Sequence, residues 1–164
     1  LTTLAPGDVV SDGVDDWVIA GSVRYREEND GWSLHVLDGG GSRRFLEVRS
    51  RRGSVEVALL DVADALPRGQ LLGGLTYRGQ SYLLDARGDA RTAADGDVGV
   101  HAARGPSLTW ARYTSAGGGL LIVEDEATIR RGYVGSRVEP SSLSILSGEL
   151  NRAAMGPDAD AGAR

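Results

Sequence analysis

The stretch WSLHVLDGGGSRRFLEV, Trp32 to Val48, and its counterpart WARYTSAGGGLLIVE, Trp110 to Glu124, decide how this chain folds. In each, a tryptophan is followed seven residues later by three glycines, Gly39-Gly40-Gly41 and Gly117-Gly118-Gly119, and then by an apolar run. Trp32, Leu34 and Val36 share one face of an extended segment, the period-two mark of a strand. Glycine supplies the positive φ angles that tight turns require. Each copy therefore reads as strand, turn and returning strand. In the first return, Leu46 and Val48 face one way, Phe45 and Glu47 the other.

The flanking sequence extends this reading. Asp8-Val9-Val10 is a short strand, Gly13 a turn and Trp17-Val18-Ile19-Ala20 a strand broken at Gly21, a bulge position. Val23 to Glu27 alternates apolar and charged residues, and Asn29-Asp30-Gly31 reads as a type I′ hairpin turn. Val55, Val57 and Leu59 alternate in a further strand, and Val62 to Leu66 reads as one helical turn ended by Pro67. Pro67 to Gly74 is the candidate boundary. Beyond it Leu75-Thr76-Tyr77, the turn Arg78-Gly79 and Ser81-Tyr82-Leu83-Leu84 resemble the opening of the first half, Tyr82 standing for Trp17. Residues 85–97 are polar and read as a mobile loop, and Val98 to Ala102 as a weak strand. From Asn151 onward the composition is that of a disordered tail.

No stretch keeps a helical period beyond about two turns. The expected fold is all-β: two similar small β-barrel or meander units, SH3-like, packed as a pseudo-two-fold pair, with at most short helical turns. The units are 1–68 and 69–150, with 151–164 as the tail. One continuous β-sandwich is the alternative. Trp17, Trp32, Tyr82 and Trp110 are the expected aromatic anchors of the cores.

Composition bounds the function. A chain of 164 residues buries roughly 68–70% of its unfolded surface, enough for a core without staples. Cysteine is absent, which excludes disulfides and thiolate chemistry and fits a cytoplasmic location. No apolar run spans a membrane, and no signal peptide is visible. A start at Leu1 rather than Met leaves room for an upstream segment. The net charge of −5 argues against generic binding to nucleic acid or anionic membrane. All 18 basic residues are Arg; abundant Ala, Gly and Val assign that to genome composition.

Candidate chemistry is sparse. His35 and His101 are the histidines, and neither lies in a nucleophile-elbow pattern. His35 falls opposite Trp32, Leu34 and Val36, which places it on the surface. The acidic pairs Asp15-Asp16 and Glu27-Glu28 and the run Glu124-Asp125-Glu126 alternate faces on strands and do not form one site. No phosphate loop, calcium loop or metal cluster is present, and no cofactor is expected. The one suggestive group is Arg43, Arg44, Arg49, Arg51 and Arg52, five cations on two neighbouring turns of an acidic chain. It is the candidate surface for an anion or an acidic protein partner.

These residues resemble a known family. Gly7 to Val10, Trp17-Val18-Ile19, Val23 to Glu27, Trp32 and Phe45 to Val48 look like the first half of the bacterial domain of unknown function 4178 family. Leu75 to Gly79, Tyr82, Trp110 to Tyr113, Leu121 to Glu124 and Val138-Glu139-Pro140 look like its second half. His35, where an aromatic is common, and Phe45, in place of a Trp, depart from the pattern. The resemblance implies an accessory role beside envelope-stress or polyamine-linked systems, and no catalytic residue. The expectation is a non-catalytic binding or adaptor module with a protein partner, reaching a membrane only through that partner. The alternatives are a nucleic-acid-binding small barrel and an enzyme on a polyamine-like or glycan substrate. Carboxylates and Trp32 or Trp110 in one pocket would favour the enzyme.

Overall fold

Glycine turns and alternating side chains divide the chain into short antiparallel strands. A computed structural model describes residues 3–148. The first five strands, β1 (Val9–Ser11), β2 (Asp16–Arg26), β3 (Gly31–Gly39), β4 (Ser42–Arg51) and β5 (Ser54–Val62), form a meander. An irregular connection leads to a second meander of β6 (Gly74–Tyr77), β7 (Gln80–Gly96), β8 (Ser107–Thr114), β9 (Gly119–Glu126) and β10 (Ile129–Val138). A 3-10 turn at Pro140–Ser142 precedes β11 (Ser144–Leu146), which pairs with β1. The fold is all-β. No helix of the described residues is long and apolar enough to cross a membrane.

The two meanders close one barrel of eight strands, in the order β2-β3-β4-β5-β10-β9-β8-β7 and back to β2. The all-β expectation stands, and in place of two SH3-like barrel or meander units packed as a pair, the two meanders share one barrel. A four-strand meander has two open edges, and open edges must be covered or paired. Here each is paired by the other meander. β5 joins β10 with Asp61 opposite Val134, and β2 joins β7 with Arg26 opposite Arg91. At both seams, strands of the same rank meet: second with second and fifth with fifth. β2 and β7 each carry a bulge three residues past the leading aromatic, Ala20 after Trp17 and Asp85 after Tyr82.

Three clusters fill the structure. The barrel interior holds Val23, Tyr25, Trp32, Leu34, Phe45, Trp110, Ile122 and Tyr133 among others. Val98, Ala102 and Ala103, from the loop between β7 and β8, pack against this interior. Outside the wall, Trp17 packs with Val10, Ile19, Leu37 and Leu46, capped by Leu4 and Leu143. On the other side Tyr82 packs with Tyr77, Tyr113, Leu121 and Val123 under Leu66 and Leu71. All four anchors are thus buried, in three cores rather than two.

Burial on both faces of the wall explains further corrections. His35 is 3% exposed, because the outer face of β3 is itself covered by β1 and the N-terminal segment. Residues 85–96 are the body of β7 and not a loop, whereas 98–102 form no strand. Residues 63–66 follow β5 without a helical turn, and Ala65 has φ +50°. The loop before Gly31 has four residues, with Glu27 N–H bonded to the Asp30 carbonyl at 2.9 Å, and is no type I′ turn. Gly21 is required by contact, since a Cβ there would lie 2.5 Å from the Asp97 backbone. The expected tail, 151–164, lies outside the described residues.

Candidate functional site

Alternation along β4, β8 and β9 points polar side chains into the barrel. Glu47, Arg49, Arg112 and Glu124 are each 3–5% exposed. Burying charge is costly unless it is paired. Arg112 donates to Glu47 Oε2 at 2.8 Å and lies 3.6 Å from Glu56, which reaches solvent. Arg49 lies between two aromatic faces, 4.0 Å from the Trp32 ring centre and 4.9 Å from that of Trp110. Its ion pair with Glu47 is long, 3.8 Å. Tyr25 stacks on Trp32 at 4.9 Å, and Trp32 meets Trp110 edge-on at 5.1 Å. Trp110 Nε1 donates to Glu27 at 2.7 Å.

The registers show how this cluster is assembled. Gly21 and Ala86, each just past its bulge, face Val36 and Arg112. Counted from there, Trp110 holds the place of Leu34, and Trp32 that of Leu108. Glu47 faces Leu34 and Glu124 faces Trp110. The two buried glutamates therefore hold matching places in the two meanders. Equating Trp32 with Trp110 by their spacing to the glycines misses this by two residues. The facing pair Trp110–Glu124 encloses one residue more than the pair Leu34–Glu47.

Burial pushes the Glu124 carboxyl up to about 7, with the Tyr25 and Tyr133 hydroxyls and Arg131 opposing and Glu47 reinforcing. Tyr133 gives its hydroxyl proton to the His101 carbonyl at 2.7 Å. Glu124 Oε2, 3.4 Å from the same hydroxyl, is a second and longer acceptor. Burial likewise lowers the Arg49 guanidinium, against the pull of Glu47.

The five arginines do not form one surface. Arg43 and Arg44 stand at one end of β4, Arg51 and Arg52 at the other, roughly 25–30 Å away at about 3.3 Å per residue. Arg43 pairs with Asp38 at 2.9 Å and with Asp97 at 3.1 Å. Arg44 pairs with Asp61 at 2.9 Å and lies over Trp17. Arg49 is inside the barrel. Arg51 comes within 4.0 Å of Asp30, and Arg52 occupies the turn at φ +50°.

His35 makes a constellation that sequence spacing did not show. Its Nδ1 lies 2.7 Å from Ser22 Oγ and its Nε2 2.8 Å from Ser33 Oγ. Ser33 lines an open surface pocket with Arg24 and Arg26. Nucleophile, base and orienting group are thus in reach of one another. Burial, however, lowers the His35 imidazole to about 4, far below the range in which a base serves neutral-pH chemistry. The histidine is a core group satisfied by two hydroxyls. His101 is exposed, in the loop after β7.

Trp32, Trp110, Glu47 and Glu124 line one cavity, the juxtaposition asked of an enzyme site. The free space is about 10 Å³. That takes one water molecule and neither a sugar ring nor a diamine. Among the described residues, no group of three or more His, Asp or Glu side chains is placed to hold a metal ion.

A family model described as "Domain of unknown function (DUF4178)" matches residues 5–140. Uncharacterized proteins of Mycobacterium bovis and of two strains of Mycobacterium tuberculosis are 33% identical over 120 residues, 71% of this chain and 55% of theirs. The chain thus spans about half the length of the curated relatives it matches. No solved structure matches it.

Proposed function

The chain belongs to the DUF4178 family, and from that premise we propose that it is a non-catalytic binding module taking an extended segment of a protein partner along β6. The observation that carries this reading is the edge itself. β6 ends the sheet and pairs only with β7 among the described residues. Its residues, Gly74, Leu75, Thr76 and Tyr77, include neither charge nor proline, the usual guards of a free edge. The hairpin closes through Arg78 and Gly79, both at positive φ. Tyr77–Gln80 and Leu75–Tyr82 are then the hydrogen-bonded pairs, and Thr76 directs its N–H and C=O outward. Leu72 and Leu83 flank the edge at 64% and 69% exposure. Free backbone groups beside exposed apolar side chains are what strand addition uses.

Following the family resemblance, the partner belongs to an envelope-stress or polyamine-linked system. We also infer that β1–β5 and β6–β10 descend from one duplicated unit, supported by the like-with-like seams and matched bulges.

Pull-down with the wild-type chain, Thr76→Pro and an Arg51→Ser/Arg52→Ser variant tests the edge. Thr76→Pro removes one outward N–H and leaves the β6–β7 ladder intact. It should abolish capture, and the arginine variant should retain it. Capture that survives Thr76→Pro and fails with the arginine variant would sink the proposal.

A further inference from the structure

Gly74 stands at the head of β6 for no reason internal to the fold. It does not take a positive φ. A Cβ there would meet Leu83 Cδ2 and the Tyr82 carbonyl oxygen at 3.5 Å, ordinary van der Waals contact. Alanine would therefore fit, and it would stiffen the strand. A glycine in a ladder marks a bulge, a barrel corner or the close approach of another chain. The β6–β7 register runs from Gly74–Leu83 to Tyr77–Gln80 without a shift, and β6 lies outside the barrel. Close approach is what remains.

The geometry around Gly74 suits it. Gly74 faces Leu83, so the two share a face, opposite the one on which Leu75, Tyr77 and Tyr82 pack. Leu83 is largely exposed, and its tip lies over Gly74, towards the free edge. The Leu84 amide donates to the Gly73 carbonyl at 2.8 Å. Gly74 lies between that bond and the Leu75–Tyr82 pair, so it turns its own N–H and C=O outward, as Thr76 does. A segment added to the edge is thus held at Gly74 itself. Its residue facing Gly74 puts a side chain on the Leu83 face.

We propose that the partner's segment carries a large aliphatic or aromatic side chain at the place facing Gly74, seated in the notch over that glycine and against Leu83. This rests on the β6 reading and adds which segments the edge accepts. The incoming side chain crosses the space a Cβ would have filled and removes Leu83 from water. Charge narrows the class. No residue of 69–77 or of 79–84 is charged, and Arg78, in the turn between, is held by Asp64 at 2.7 Å. A charged side chain laid on Leu83 would lose its water and find no countercharge. A small one would leave Leu83 wet.

Panning a library of short linear peptides on the wild-type chain should select sequences with Leu, Ile, Phe or Tyr fixed at one place. Their capture should be lost on Thr76→Pro. Leu83→Ser, at an exposed position, should weaken a selected peptide about tenfold, the loss of much of one side chain's burial. Gly74→Val fills the notch and should turn the fixed place to Gly, Ala or Ser, with the thermal midpoint unchanged. Peptides that need Thr76 yet carry no large apolar residue, or that bind Leu83→Ser as well as wild type, would overturn the notch and leave the edge standing. A library yielding no Thr76-dependent peptide would take both down. A chain that sediments as a dimer, and as a monomer after Leu83→Ser, would assign the notch to a second copy and likewise overturn the proposal.

Discussion

Two buried titratable groups set opposite pH dependences on this fold, and Glu124→Gln separates them. Burial raises the Glu124 carboxyl from 4.5 to about 7. The folded chain therefore keeps a proton that the unfolded chain has released between those values. Its contribution is complete below pH 4.5 and is lost as pH rises through 7, a swing of about 3 kcal/mol. His35 moves the other way, from 6.5 to about 4. Its contribution is complete above pH 6.5 and is lost as pH falls towards 4, again about 3 kcal/mol. Between about pH 4.5 and 6.5 one folded group holds an extra proton and the other lacks one, so the two slopes cancel. Glu124→Gln keeps the shape and removes one slope. Urea unfolding, read by tryptophan fluorescence, should show the variant gaining on wild type by about 2 kcal/mol between pH 5.5 and 8.5. His35→Gln should show the opposite trend below pH 6.5. A wild-type-minus-variant difference that stays constant across this range would refute the account of the cluster.

Other substitutions test the packing. Arg49→Ala removes the cation from between Trp32 and Trp110 and should cost about 2–4 kcal/mol in urea unfolding. Arg52→Ser, on an exposed turn, should stay within about 0.5 kcal/mol; equal costs would contradict the placement of these arginines. Gly21→Ala drives a methyl towards the Asp97 backbone and should cost about 1–3 kcal/mol. Amide exchange at residues 91–96 should quicken in that variant, and unchanged exchange would count against the β2–β7 seam. Trp110→Phe removes the bond to half-buried Glu27 and should cost about 1–2 kcal/mol.

Strands and turns were legible because local chemistry determines them. Gly40, Gly41 and Gly118 do take positive φ at the two glycine turns. Closure was not legible, because the seams join residues far apart in the chain, such as Asp61 and Val134. β7 was hidden for a different reason. Its inner face carries Gly88 and Ala90, small enough to sit beside Trp110, while Arg87 and Asp89 point away, so no apolar alternation survives. Part of the buried cluster could have been found. Glu47 lies within and Glu124 ends the apolar run after its glycine turn, a carboxylate signal clearer than the tryptophan spacing. The arginines misled because β4 carries Arg43 and Arg51 near its opposite ends, and its alternation turns Arg49 inward.

Closure by two seams also governs how the polypeptide is made. As it leaves the ribosome, the first meander emerges with both flanks bare. One waits for residues 91–96 and the other for 133–138. Until then the nascent sheet offers two adhesive borders to any neighbour. Slower growth or a holding chaperone during expression should therefore raise the yield of closed protein more than any change made to its surface.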